Sequence, residues 1–213
     1  MSEALSIQVV SDFVCPWCYV GKRRLERALE STGKTWDIAW LPFQLTPDMP
    51  EEGRNRKEHY DAIFGGKADL IMANMQDTGR EEGIEFRYSN EAMSPNTLRA
   101  HRLMYWATEA AGIDANALAE KLFAAHHVDC EDLGDVAVLA RIAGEVGMDA
   151  DTMAARLQGD EDKDVVVDII RQVQSQQVSG VPFFVLNGQL SLSGAQPVDL
   201  FAKALRQLED AAG

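Results

Sequence analysis

Residues 12–21 read DFVCPWCYVG, and the rest of the chain is organised around this decapeptide. It follows an apolar, β-branched run at residues 7–10, which predicts a buried strand. It also opens a segment whose apolar residues recur every three or four positions, which predicts a helix. Cys15 would be the N-cap of this helix and Pro16 its first residue, where the missing N–H of proline is not needed. A pair of cysteines therefore lies at a predicted strand-to-helix junction.

This position favours thiol chemistry. The helix dipole and the unpaired N–H groups of a first turn favour the thiolate form of Cys15, which makes it a candidate nucleophile. Cys18 falls on the predicted buried face, where it could resolve a mixed disulfide. Zinc would require a second ligand pair at suitable spacing, which the sequence lacks, and a disulfide across so short a loop is a poor structural staple. We therefore expect redox chemistry at Cys15 and Cys18, and no metal.

Composition restricts the class of protein. The chain has 213 residues, enough for one large domain or a domain with an insertion, and a net charge of −14. Such an acidic protein is not attracted to nucleic acid or to anionic membranes. No apolar run approaches the roughly 20 residues of a membrane span. The first residues do not resemble a signal peptide, and three cysteines do not form the disulfide framework that is typical of small secreted proteins. We expect a cytoplasmic protein without nucleic-acid or membrane partners; the oligomeric state stays open.

The remaining sequence divides into three parts. Residues 1–53 predict β-α-β, with the second strand at 36–41, followed by a proline-rich break. Residues 54–160 carry helical periodicity throughout. The candidate N-caps in this part are Ser94 or Asn96, Asp114, Asp135 and Asp149. Residues 161–213 predict α-β-β-α, with Asn187-Gly188 as the turn of a hairpin. We expect an α/β fold in which an all-helical insertion separates two halves of one domain.

This order of elements resembles the thioredoxin fold with a helical insertion, as in the DsbA family. The supporting motifs are CPWC at residues 15–18 and GVPF at residues 180–183. More narrowly, the chain resembles the FrnE-like branch of that family. The stretches that carry this resemblance are PFQL at 42–45 with Pro47, NTLRAHRL at 96–103 and GAQ at 194–196. Together the motifs extend over nearly the whole chain.

The resemblance implies a thiol–disulfide oxidoreductase or isomerase acting on disulfides or dithiols of proteins or small molecules. Cys15 and Cys18 would be catalytic. The Val181–Pro182 bond would be cis and face the thiols, with the Val181 backbone pairing with a bound substrate chain. Pro16 and Trp17, between the cysteines, would also contact substrate.

Two other functions remain open. The same architecture occurs in 2-hydroxychromene-2-carboxylate isomerases and kappa-class glutathione transferases, which typically carry serine at the position of Cys15. The cysteine favours disulfide exchange, but leaves open a role for glutathione as a thiol co-substrate. A chaperone-like binding module with incidental thiols is the third interpretation.

Two further residues, His101 and Asp12, are candidates for a role at the site. His101 shares a helical stripe with Leu98 and Tyr105, so a core histidine is the default interpretation. The resemblance adds a role in lining the site, since helices of the insertion cover the thiols in this family. Asp12, just before the motif, is expected to oppose the Cys15 thiolate by like charge.

The other polar clusters are expected to be structural. His126 and His127, with Asp129 and Cys130, contain the side-chain types of a metal site. Adjacent histidines on a helix point in different directions, however, so they would not bind the same ion. We expect these histidines on the surface or half-buried. Cys130 is expected to be a small buried hydrophobe, with a role as third redox partner as the alternative. A basic patch on the first helix is expected to be a solvated face that could mildly support a nearby thiolate; it consists of Lys22, Arg23, Arg24 and Arg27.

Overall fold

A computed structural model of the chain describes residues 5–33 and 35–212. Its centre is a four-stranded sheet with the order β2-β1-β5-β6. The strands β1 and β2 are parallel, whereas β5 runs antiparallel to both β1 and β6. Their bounds are Leu5–Ser11 (β1), Trp36–Pro42 (β2), Phe183–Leu186 (β5) and Leu190–Ser193 (β6).

Three helices cover this sheet. Helix α1 (Pro16–Glu30) packs against α9 (Val198–Ala212), and α8 (Lys163–Ser175) packs against β2. Because successive strand residues point to opposite faces, Val9 and Val10 of β1 belong to different apolar clusters. Helices α1 and α9 therefore lie on one face of the sheet, and α8 lies on the other.

The segment between β2 and α8 forms the insertion. It is helical, as predicted, and it additionally contains two short antiparallel strands, β3 (Arg54–Asn55) and β4 (Met93–Ser94). A short 3-10 helix, Gly65–Lys67, joins its first two α-helices. The α-helices are α2 (Arg56–Phe64), α3 (Ala68–Glu81), α4 (Leu98–Glu109), α5 (Ala115–His127), α6 (Val136–Glu145) and α7 (Ala150–Gln158).

The N-cap and turn residues in the sequence predicted most boundaries of the helices and strands correctly. The side chains of Asp114, Asp135 and Asp149 each accept hydrogen bonds from first-turn N–H groups, as predicted for N-caps. The N-cap of α4 is instead Thr97, although the Asn96 side chain still accepts from the backbone N–H of Leu98, at 3.0 Å. Asn187 and Gly188, with φ of 50° and 64°, form the predicted turn between β5 and β6.

The insertion and the thioredoxin-like part share one hydrophobic core. Phe123 of α5 stacks on Tyr19 of α1, with ring centroids 5.2 Å apart, and also contacts Phe13 and Trp40. This continuity fixes the insertion against the start of α1, where the cysteines lie. No helix in the described part of the chain combines the length and the apolar composition needed to cross a membrane.

Candidate active site

The cysteine pair lies where β1 passes into α1. Cys15 is the N-cap of α1 and Pro16 follows as its first residue, as the sequence predicts. The backbone N–H of Cys15 donates to the carbonyl of Asp12, at 3.0 Å, which closes a tight turn after the strand. Cys15 and Cys18 approach to within 3.4 Å of each other, and both are free cysteines. The spacing is short enough for a disulfide to form with small side-chain movements.

The two thiols differ in access. Cys15 lines an open cavity, whereas Cys18, only 1% exposed, lies behind it. Burial, and then the hydrogen bond and charge of Cys15, raise the pKa of Cys18 well above its usual value. Cys18 is therefore a protonated thiol near neutral pH, and only Cys15 faces the space where a substrate could bind.

The loop before β5 forms the opposite wall. The Val181–Pro182 peptide bond is cis, and the Cys15 thiol donates to the Val181 carbonyl oxygen over a long Sγ–O distance of 3.8 Å. Gly21 of α1 makes this approach possible, because a Cβ there would lie 3.0 Å from Pro182 Cγ. The half-buried Val181 lines the same cavity as Cys15, and Pro182 is buried beside it.

The cavity above Cys15 has a volume of about 340 Å³ and mainly apolar walls. Pro16, Trp17, Leu45 and Met49 line it from the thioredoxin-like part and the loop that follows β2. Helices α2 and α3 of the insertion supply His59, Tyr60, Ile63, Phe64, Ile71, Met72 and Met75. Among the described residues that line this cavity, none is a lysine or an arginine. Sequence reasoning missed this insertion wall, because its apolar stripe has the same periodicity as an ordinary core-facing helix.

Several large apolar side chains are exposed around the mouth of this cavity. Trp17 is 46% exposed, and Leu45 and Ile63, which also line the cavity, are about half exposed. Leu70 is exposed on α3, next to the cavity residue Ile71. Apolar side chains exposed together at the mouth of a cavity are a feature of binding surfaces.

Asp12 is a buried acid at this site. Its Oδ2 accepts a hydrogen bond from the backbone N–H of Leu45, at 2.8 Å, and its Oδ1 lies 3.4 Å from Nε2 of His101. His101 is buried against the ring of Phe13, and its Nε2 also lies 2.9 Å from the Phe43 carbonyl oxygen. Asp12 lines the cavity with Cys15, whereas His101 does not. His101 therefore reaches the site only through Asp12.

The basic residues of α1 do not form the solvated face expected from the sequence. Lys22 is only 3% exposed and pairs with Glu26 and Glu120, at 2.6 and 2.8 Å. Arg24 pairs with the buried Glu82, at 2.6 Å. The prediction was wrong for these two residues because Glu120 of α5 and Glu82, which directly follows α3, lie far away in the sequence. Their role is to attach α1 to the insertion.

The histidine pair at the end of α5 is fully buried, so the expectation of a surface or half-buried position was also wrong. His127 joins the rings of Tyr19, Phe86 and Phe123, and His126 lies against the Arg56 guanidinium. No group of three or more His, Cys, Asp or Glu residues in the described part of the chain could hold a metal ion. Cys130 is half-buried in the following loop, where its thiol donates to the Arg87 carbonyl oxygen, at 3.4 Å.

A central mixed sheet, a cysteine pair at the start of the first helix and a cis-proline loop facing it define a thioredoxin-fold protein. Residues 6–206 match the family model of the DSBA-like thioredoxin domain, and the chain belongs to that family. DsbA-like proteins act on disulfide or dithiol substrates.

Individual relatives agree with this assignment. The uncharacterised protein YwbO of Bacillus subtilis is 28% identical over 202 residues, covering 93% of this chain and 94% of YwbO. The crystal structure of SCO1869 from Streptomyces coelicolor, described as a probable DsbA oxidoreductase, superposes with a TM-score of 0.86 at 28% identity, covering 95% of this chain and 89% of that one. The cytosolic disulfide reductase DsbM from Pseudomonas aeruginosa, solved with GSH, shares the fold at 19% identity, with a TM-score of 0.68 and coverage of 96% and 100%.

Proposed function

We propose that the protein is a thiol–disulfide oxidoreductase in which Cys15 attacks the substrate and Cys18 resolves the resulting mixed disulfide. The observation that carries this proposal is the difference in access between two adjacent thiols. Cys15 lines the cavity and Cys18 lies behind it, within 3.4 Å. A substrate sulfur can therefore reach Cys15, and Cys18 is held where it can displace that sulfur.

The reaction has two exchanges. The Cys15 thiolate attacks one sulfur of a substrate disulfide, forms a mixed disulfide and releases the other sulfur as a thiolate that takes up a proton. The Cys18 sulfur then attacks Sγ of Cys15, the Cys15–Cys18 disulfide forms, and the second substrate sulfur leaves. The substrate is reduced by two electrons and the cysteine pair is oxidised; the reverse sequence oxidises a dithiol.

Val181 is the proposed positioning residue for the substrate chain. Its carbonyl oxygen lies 3.8 Å from Cys15 Sγ, and the residue lines the cavity at the start of the loop into β5. An extended substrate segment crossing Cys15 would therefore meet the backbone of Val181, with Pro182, Pro16 and Trp17 around it. In this proposal Trp17 supplies apolar contact area at the mouth.

The cavity favours substrates whose reactive sulfur lies next to apolar groups. Its walls are mainly apolar, and the ionisable side chains that line it are Asp12, Cys15, His59 and Tyr60. Glutathione carries two carboxylates. The described residues that line the cavity include no lysine or arginine that could pair with them. We infer that glutathione reacts as a freely diffusing thiol co-substrate and that apolar disulfides, in peptides or small molecules, bind in the cavity. We place this reaction in the cytoplasm, in keeping with the acidic, cysteine-poor sequence.

Steady-state reduction of a disulfide-bonded peptide, with Cys15→Ser and Cys18→Ser variants, tests the proposal. Cys15→Ser abolishes turnover, whereas Cys18→Ser still attacks and accumulates a one-to-one mixed disulfide that intact-protein mass spectrometry detects. Cys130→Ser, which removes the half-buried thiol outside the site, is the matched control and keeps wild-type rates.

The same variants separate this function from the alternatives. An isomerase or transferase of the related kind would retain or gain glutathione-dependent turnover in Cys15→Ser. A binding module would bind its partner equally well in all three variants and show no exchange. Either result, with exchange absent in the wild type, overturns the proposed function.

A further inference from the structure

Tyr60 of α2 carries a free hydroxyl at the substrate cavity. Among the residues that α2 and α3 contribute to the lining, only His59 and Tyr60 can donate hydrogen bonds from their side chains. Tyr60 is half-buried, and its hydroxyl has no hydrogen-bond partner in the described part of the chain. The neighbouring Tyr88 hydroxyl also lacks a partner there, but it is fully enclosed, and Tyr88 does not line the cavity. Of the two hydroxyls, a bound substrate can therefore reach that of Tyr60.

The ring of Tyr60 is held in place by its neighbours. Its centroid lies 5.8 Å from that of Phe64 and 6.4 Å from that of Tyr88, and both contacts are edge-to-face. Tyr60 is thus fixed on the insertion side of the cavity, whereas Cys15 lies on the thioredoxin-like side. A substrate bound between these two walls has the Cys15 thiol on one side and the Tyr60 hydroxyl on the other.

The hydroxyl and the thiol are close enough to interact electrostatically. Burial raises the pKa of Tyr60, and of the two groups whose charge acts on it, Arg56 lowers the pKa and Cys15 raises it. The pKa of His59 is lowered by burial and then by Arg54, with no effect of Cys15. Of the two polar residues that α2 contributes to the lining, Tyr60 is therefore the one near Cys15.

The first exchange places a negative charge in this cavity. When Cys15 attacks, the substrate S–S bond breaks and the leaving sulfur becomes a thiolate. The cavity walls are mainly apolar, and the described residues of the lining include no lysine or arginine. A charge in such surroundings is costly unless a hydrogen-bond donor meets it. A donor that is already in position lowers the barrier, because no solvent has to reorganise when the charge develops.

Tyr60 is suited to donate a hydrogen bond rather than to transfer a proton. The ordinary pKa of a phenol, about 10, already exceeds that of an alkyl thiol, about 8.5. Burial raises the pKa of Tyr60 further. Transfer of its proton to a thiolate is therefore unfavourable, and the O–H group remains available as a donor at neutral pH.

We propose that the Tyr60 hydroxyl donates a hydrogen bond to the substrate sulfur that leaves when Cys15 attacks, and that Tyr60 is thereby a catalytic residue. The proposal rests on the proposed function. In the step, the Cys15 Sγ electron pair forms the bond to one substrate sulfur, and the substrate S–S bond breaks. Its electron pair goes to the leaving sulfur, which accepts the hydrogen bond from Tyr60. The Tyr60 O–H bond stays intact, and the thiolate takes its proton from water after it leaves.

The dependence of the attack rate on the leaving thiol tests the proposal. In a Cys18→Ser background only the first exchange occurs, and rapid quenching with intact-protein mass spectrometry follows formation of the mixed disulfide. Two uncharged reagents are compared: dithiodipyridine, which releases a stabilised thiopyridone, and hydroxyethyl disulfide, which releases an ordinary alkyl thiolate. The alkyl thiolate needs stabilisation, whereas the thiopyridone needs little.

Tyr60→Phe should slow attack on hydroxyethyl disulfide about tenfold, the size expected for one lost hydrogen bond to a charged group. Attack on dithiodipyridine should stay within about twofold of the Tyr60 protein, and this rate also shows that the variant is folded. Tyr88→Phe removes the same atom from the adjacent ring, outside the cavity, and is the matched control. It should change neither rate.

A rate for hydroxyethyl disulfide within about twofold of the Tyr60 protein would overturn the proposal. Equal slowing with both reagents would also overturn it, because a general disturbance of the cavity does not depend on the leaving thiol. The same holds if His59→Phe, and not Tyr60→Phe, slows the alkyl reagent selectively. Failure of the underlying function looks different: with Tyr60 intact, neither reagent then forms a mixed disulfide at Cys15.

Discussion

Lys22 of α1 and Glu120 of α5 form an ion pair in which Nζ lies 2.8 Å from Oε2, with the lysine almost fully buried. Glu120 also accepts hydrogen bonds from the Tyr19 hydroxyl, at 2.6 Å, and from Arg23. One carboxylate thus connects three residues of the cysteine-bearing helix to the insertion. This network therefore fixes the cysteine-bearing helix α1 against α5 of the insertion.

Replacing Glu120 by Gln should destabilise the fold by about 2 kcal/mol, less than for a fully buried pair because Glu120 is partly exposed. The loss arises because the buried Lys22 keeps only Glu26 as a charged partner. Urea unfolding measures it. Glu145→Gln, which removes an exposed partner of Lys121 and Arg141, is the control and should cost at most about 0.5 kcal/mol. An equal loss of unfolding free energy in the two variants would contradict a stabilising role for the Glu120 network.

The buried histidines should make the protein sensitive to acid. Burial, and then the charge of Arg56, lower the pKa of His127 to about 3, and burial above all lowers the pKa of His126. Both are neutral in the folded state, whereas in the unfolded chain they bind protons below about pH 6.5. Stability is therefore complete above that pH and falls as the pH drops towards the folded values.

Between about pH 7 and pH 4, His127 alone should remove on the order of 3 kcal/mol from the free energy of unfolding. Chemical unfolding at a series of pH values measures this loss. His127→Phe should flatten the slope over the same range. An unchanged slope in that variant would show that His127 is not buried in its neutral form.

Gly79 of α3 marks a close contact between α3 and the segment after it. A Cβ at this position would lie 2.7 Å from the Ile84 carbonyl oxygen and 2.3 Å from a ring carbon of Phe86. Gly79→Ala should therefore lower the free energy of unfolding by about 1–3 kcal/mol, because the backbone at Ile84 must move. Gly66→Ala, where a Cβ meets nothing within 4 Å, should be neutral. Thermal unfolding of the two variants gives the comparison, and equal melting temperatures would rule the contact out.

Trp17 should contribute to substrate affinity rather than to stability, because it is exposed at the cavity mouth. Trp17→Ala should raise KM for an apolar peptide disulfide about tenfold, the loss expected for an aromatic side chain at a binding surface. The KM for glutathione disulfide should hardly change. Leu200→Ala, which removes an exposed apolar side chain of α9 outside the cavity, should alter neither. Equal effects of Trp17→Ala on both substrates would argue against an apolar binding surface.

The sequence by itself determined the main helices and strands and the position of the cysteine motif. The strand before Cys15, the aspartate N-caps of α5, α6 and α7, and the Asn187–Gly188 turn depend on residues a few positions apart. The same holds for the place of Cys15 at the start of α1. Such signals are local, because caps, turns and helical periodicity act through neighbouring backbone groups.

Only the tertiary structure decided which polar residues are buried and what they face. Lys22 looked solvated and His127 at most half-buried from their own segments, yet long-range partners enclose both. Asp12 and His101, 89 positions apart by their numbers, meet only because α4 packs beside the end of β1. The cavity wall from α2 and α3 arises in the same way. Side-chain burial depends on contacts between distant segments, and no local pattern in a single sequence encodes those contacts.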